Sequence, residues 1–128
     1  MTFDYTISSD KNLDELIQSL ETSLQNEGFA VLWHFDVKAT LHKKGFDYDD
    51  EYRILEVCNP GVAKEMLDET KMAGYFLPCK VTVFESGGKT YVGMPKPTTL
   101  FNLTDNETAR HHAADVEQQM IKCFEKAV

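Results

Sequence analysis

Residues 52–85, "YRILEVCNPGVAKEMLDETKMAGYFLPCKVTVFE", decide the fold, because two strand-like runs bracket a short helix and each run meets a cysteine next to or near a proline. "YRILEVC" has apolar side chains on both of its faces, so its sheet has little purely solvated surface at this strand. Asn59 followed by Pro60 reads as a helix start. An asparagine side chain caps free amides, and proline lacks only a donor that the first helical position would leave unused. Val62, Ala63, Met66 and Leu67 form the inward stripe of this helix over 60–70, with Gly74 as its stop. "LPCKVTVFE" then resumes as a strand. If the two strands are antiparallel neighbours, the helix is an excursion on one edge and Cys58 meets Cys79. If the helix is a crossover between parallel strands, as in a ferredoxin-like arrangement, the cysteines lie at opposite ends of the sheet. The reading adopted is the antiparallel meander.

Downstream, "SGG" at 86–88 supplies the positive-φ positions of a hairpin turn into the strand "KTYVGM". "PKPTTLFNL" reads as a connector. Thr104 with Glu107 reads as a capping box for a last helix to about residue 126, with the stripe Ala109, Ala113, Val116, Met120 and Phe124. Upstream, "FDYTISS" is a strand, and Asn12 with Glu15 opens a helix whose stripe is Leu13, Leu16, Ile17, Leu20 and Leu24, ended by Gly28. "FAVLWHFDV" alternates, with Val31, Trp33 and Phe35 on one face and Leu32 and His34 on the other. Residues 38–44 make a short helix. The expectation is an α+β domain spanning 1–128: an antiparallel sheet of about five strands, two long helices on one face, and β-α-β4-α topology with a short helix inserted at 60–70. Two helices cover only one face. Trp33, Phe35, Tyr52, Phe84 and Tyr91 cannot share it with Leu55, Val57, Val81 and Val83, so part of the second face is apolar. Such a face marks a homodimer interface or a small-molecule ligand site.

At 128 residues with 42% hydrophobic content, the chain suits one domain with a real core. Its 13 Lys and Arg against 21 Asp and Glu give a net charge of -8, which repels a phosphate backbone, so no nucleic-acid partner is expected. "MTFDYTISSD" has no apolar export segment and "FAVLW" is the longest wholly apolar run, so no membrane association is expected. Three cysteines do not make a disulfide framework, and reduced thiols in a cytoplasmic protein are the expectation.

"GFAVLWHFDVKATLHKKG", "YRILEVCNPGVAKEMLD" and "GYFLPCKVTVFE" together resemble the domain of unknown function 302 family, whose usual wording is close to "YRILxxCNP" followed by "LLPCNVxVYE". The resemblance covers nearly the whole chain. It implies a β-α-β4-α fold similar to half of the TATA-binding protein's saddle, makes dimers plausible, and implies no activity. The chain departs from the family wording at Lys80, where an asparagine is common, and at Glu56, where a small residue is common. It departs again at 95–97, "PKP", where an acid usually precedes the proline.

The candidate site residues are Cys58, Asn59, Cys79, Asp36 and His34. Cys58 lies just before a helix cap, where unpaired amides favour a thiolate. Against that, free cysteine is most often a small buried residue, and both readings stay open. A zinc site wants four ligands and no Cys-x-x-Cys pair exists, so His34, Asp36 and His42 are the nearest residues to complete a set. Asp36, at the end of an apolar strand, either joins a site or caps the following turn. His111 faces water, His112 flanks the last helix's stripe, and Cys123 reads as core. The acidic run at 47–51 lacks the spacing of a calcium loop, and no hydrolase or nucleotide-binding motif is present. No catalytic residue, metal or cofactor is assigned. The leading reading is a non-catalytic homodimeric binding module. The alternative is a thiol-based metal-binding or redox module centred on Cys58 and Cys79. An enzyme using Cys58 as nucleophile would lack a visible base.

Overall fold

The computed structural model describes residues 3–128. The elements run β1 (Asp4–Ser9), α1 (Leu13–Asn26), β2 (Ala30–Asp36), α2 (Val37–Lys43), β3 (Tyr52–Cys58), α3 (Pro60–Glu69), β4 (Cys79–Ser86), β5 (Lys89–Pro95), α4 (Pro97–Phe101) and α5 (Glu107–Ala127), with a 3-10 helix at Lys71–Tyr75. The sheet is five-stranded in the order β1-β5-β4-β3-β2, and each neighbouring pair is antiparallel. The meander of β2 to β5 is thus real, and α3 is an excursion between neighbours β3 and β4.

α1 and α5 lie together on one face. Their stripes, Leu16, Leu20 and Leu24 with Val116, Met120 and Phe124, close on Leu55, Val57, Val81, Val83, Val92 and Met94. Each such side chain contributes roughly 1.5–3 kcal/mol when buried, so this layer carries most of the stability. A second cluster, Met66, Ala73, Phe101, Ala109 and Ala113, ties α3, the 3-10 helix and α4 to the start of α5. The far end of α5 is fastened where Lys11 donates its Nζ to the Ala127 carbonyl at 2.7 Å, a cation on the negative end of the helix.

The asparagine caps hold. Asn12 accepts from the Glu15 amide at 2.9 Å and Asn59 from the Val62 amide at 3.3 Å. At α5 the cap is Asn106, which accepts from the Ala109 amide at 2.9 Å, and not Thr104, whose hydroxyl instead donates to the Phe101 carbonyl and closes α4. The supposed connector at 95–103 contains α4, because Pro97 starts a turn that buries both Pro97 and Phe101. α3 stops at Glu69 and not at Gly74; the stretch that follows tightens into the 3-10 helix and buries Ala73. Leu67 falls outside the inward stripe and is exposed.

Strict alternation fails in β2. Val31 pairs with Val57 but Trp33 pairs with Glu56, so one extra residue forms a β-bulge at Leu32. Val31 therefore packs on the core, while Trp33 and Phe35 turn to the other face with Glu56 and Ile54. On that face Gly93 lies against Thr6, and a Cβ there would stand 2.5 Å from Thr6 Oγ1. Only glycine lets β1 approach β5 so closely at this point.

Candidate functional site

Because β3 and β4 are antiparallel, the end of one meets the start of the other: Val57 pairs with Cys79, which places Cys79 diagonally beside Cys58. Strand spacing puts these residues on the order of 5–6 Å apart along the backbone. Both thiols, with Asn59, Phe29, Val57 and Met66, border an apolar cavity of about 20 Å³, room for about one water molecule. Burial dominates the chemistry here. It pushes the Cys58 thiol up, and it pushes Cys79 up to about 11, with the neighbouring Cys58 adding to the effect. The helix terminus beside Cys58 therefore does not produce an activated thiolate: Asn59 already serves the amide of Val62, and what remains is outweighed by loss of water.

The other two candidates lie elsewhere. Ala30 pairs with Cys58 and Asp36 with Arg53, six residues further along β2, about 20 Å away. There Asp36 caps α2 by accepting from the Ala39 amide at 3.0 Å, and its second oxygen lies 3.4 Å from Arg53 Nε. Arg53 also donates to His34 Nε2 and reaches Glu51, which in turn meets Lys38. This closed network of paired charges joins the β2–α2 corner to β3, and it leaves Cys58, Asn59 and Cys79 as a separate group. Among the described residues no cluster of three or more His, Cys, Asp or Glu is placed to hold a metal ion. His112 approaches Glu65 of α3 at 3.4 Å, His42 bonds the Tyr48 carbonyl, and Cys123 is buried with its thiol donating to the Ser23 carbonyl.

Sequence reasoning missed the groove beside the cysteines. It encloses about 340 Å³ between the sheet end and the segments at 75–80 and 95–101, with Phe76, Leu77, Leu100, Phe101 and Pro95 among its apolar walls. Cys79, Leu77, Pro97 and Phe101 border both this groove and the small cavity. The signal available in the sequence was the unusual density of proline and aromatic residues at 75–78 and 95–101.

The uncovered face carries two rows of rings. Trp33 stacks on Phe35 at 5.2 Å, and Tyr52, Phe84 and Tyr91 stack in succession across β3, β4 and β5 at 5.2 and 5.4 Å. Trp33 remains 51% exposed.

The family model described as "Domain of unknown function DUF302" matches residues 5–127. The chain belongs to that family. A DUF302 crystal structure, that of an uncharacterized conserved protein from Bacillus stearothermophilus, is similar to it at a TM-score of 0.97 and 41% sequence identity, over 100% of this chain and 100% of that one. No curated protein matches the chain. Membership in DUF302 fixes the α+β fold and brings no activity with it. Among the described residues no helix is long and apolar enough to cross a membrane.

The thiol chemistry gives a first prediction. An alkylating probe at neutral pH leaves Cys58 and Cys79 largely unmodified in the folded protein, with or without prior chelation, and labels both on unfolding. Both are half-buried, and rapid labelling of Cys58 would overturn the reading of its thiol as protonated. The pH dependence has a definite sign. Folded Cys79 holds its proton above the ordinary thiol value of 9.0, so its contribution to stability is complete below about pH 9 and is lost as pH rises toward about 11. Urea midpoints measured across that window fall for the wild type and fall less for Cys79→Ala.

Proposed function

We propose that this DUF302 protein is a small cytosolic, non-catalytic binding module that works as a homodimer, with a second copy covering the aromatic sheet face. The observation that carries this reading is the pair of stacked aromatic rows on a face that no helix covers. Five strands at about 4.8 Å and six to eight residues at about 3.3 Å make a plate about 24 Å by 20–26 Å. The corrugated surface of two such plates reaches the roughly 1,200 Å² that a stable interface removes from water, and the isologous pairing of a two-fold axis sets ring rows against ring rows. Exposed rings on an open sheet also serve modules that stack single-stranded nucleic acid, but those combine the rings with a basic groove. A chain of net charge -8 opposes that use.

The thiol module has one observation in its favour, the neighbouring placement of Cys58 and Cys79. Burial that raises both thiols works against it. Light scattering tests the dimer directly: the wild type at micromolar concentration gives twice the chain mass. Trp33→Arg, which sets a charge into the ring row on the β2 side of the face, gives the monomer mass with an unchanged circular dichroism spectrum. A wild type that is monomeric under these conditions removes the proposal.

A further inference from the structure

Glu56 and Lys80 face each other across β3 and β4 at the sheet end, and both line the groove of about 340 Å³. Opposite charges in this cross-strand position ordinarily pair. Here, among the described residues, neither side chain makes a hydrogen bond or ion pair with another residue. The groove thus presents one free carboxylate and one free ammonium, side by side, at the edge of an apolar trough. Phe76 and Phe101, packed edge to face at 5.0 Å, form part of its wall, and Tyr75 stands 80% exposed at its mouth.

We infer that this groove binds a free α-amino acid with a large apolar side chain, its ammonium on Glu56, its carboxylate on Lys80 and its side chain against Phe76, Leu77 and Phe101. Three features select that class. The two charged residues are directly opposed on adjacent strands, so a ligand that meets both carries its ammonium and its carboxylate close together and not at the ends of a long chain. The apolar walls beyond them demand a hydrophobic substituent on that same carbon. The volume falls within the roughly 300–1,000 Å³ of ordinary small-molecule sites, so a phenylalanine-sized molecule fits and a folded partner does not. Glu56 is the cross-strand partner of Trp33, so the charged rim borders the aromatic face, while Phe76, Leu77 and Phe101 form the apolar part of the groove at the sheet end.

The test is a titration of isotope-labelled protein with L-phenylalanine, 3-phenylpropionate and phenethylamine, followed by amide chemical shifts. Millimolar L-phenylalanine shifts the amides of Glu56, Tyr75–Lys80 and Leu100–Phe101. The two analogues, each lacking one charge, bind about tenfold more weakly or worse, the cost of one missing charged contact. Glu56→Gln abolishes the preference over 3-phenylpropionate and keeps the preference over phenethylamine; Lys80→Gln does the reverse. Both positions are at the rim, and an otherwise unchanged spectrum of each variant confirms that it folds. No shifts with L-phenylalanine, shifts confined to other surfaces, or equal binding of all three molecules would overturn the assignment.

Discussion

Phe124→Ala lowers the free energy of unfolding by about 3–5 kcal/mol, a large share of the roughly 5–15 kcal/mol that holds a domain of this size together. Phe124 is fully buried in the last turns of α5, in the layer where α1 and α5 meet the sheet, and its ring sits 6.1 Å from that of Tyr5 on β1. β1 is an edge strand paired only with β5. Truncation at 124 therefore removes both a core side chain and the contact that holds β1 to the helix layer. Urea denaturation shows a lower midpoint with an unchanged slope. Phe124→Leu, which keeps most of the volume, costs under about 1.5 kcal/mol. A loss below about 1 kcal/mol for the alanine variant would contradict the packing described.

Glu117→Ala costs about 2–3 kcal/mol and acts mainly on the groove. Glu117 lies on α5 and is only 9% exposed, yet its carboxylate points at the start of α4, accepting from the Thr98 amide at 3.0 Å and the Thr98 hydroxyl at 2.6 Å. α4 needs this help because Lys96, at its cap position, offers no side-chain hydrogen bond. A carboxylate on free amides at a helix start is favourable both as acceptor and as charge. Removing it leaves two half-buried donors without a partner, and α4 with Leu100 and Phe101 loosens along one wall of the groove. Hydrogen exchange at residues 100–102 accelerates beyond what the global loss explains. Glu117→Gln keeps an acceptor and recovers most of the loss. Equal behaviour of the two variants would mean that the capping bonds contribute nothing.

The two charged rim residues of the groove and the capping carboxylate illustrate where sequence reasoning stops. Glu56 and Lys80 are 24 positions apart, and Glu117 and Thr98 are 19 apart. Nothing local in either pair announces a partner, because a polar residue on a strand or helix reads as solvated unless the opposing element is known. The bulge at Leu32 is invisible for a related reason: a single unpaired residue changes no composition, yet it reverses the face of every side chain after it. Thus Val31 and Trp33, two positions apart, end on opposite sides of the sheet.

What the sequence determined by itself was much of what short-range chemistry controls, the cap of α5, the end of α3 and the helix α4 excepted. Asn12 and Asn59 as caps, Pro60 as a first helical residue and the two glycines of the 86–88 turn each satisfy a local backbone requirement, and each is found in that role. The leucine stripe of α1 and the alanine–methionine–phenylalanine stripe of α5 repeat at helical spacing and form the core layer as expected. The antiparallel pairing that brings Cys58 to Cys79 was the reading adopted over a parallel crossover, and the structure has it. Tertiary structure alone decided that Asp36 and His34 belong to an ion-pair network away from the cysteines, with Asp36 about 20 Å along β2 from the residue that pairs with Cys58, because the direction of β2 against β3 puts the two ends of one strand beside different partners. It alone decided the state of the thiols as well. A helix terminus favours a thiolate through charge that can be read along the chain, whereas the loss of water that outweighs it depends on Phe29, Met66 and Phe101 arriving from distant segments to close the cavity.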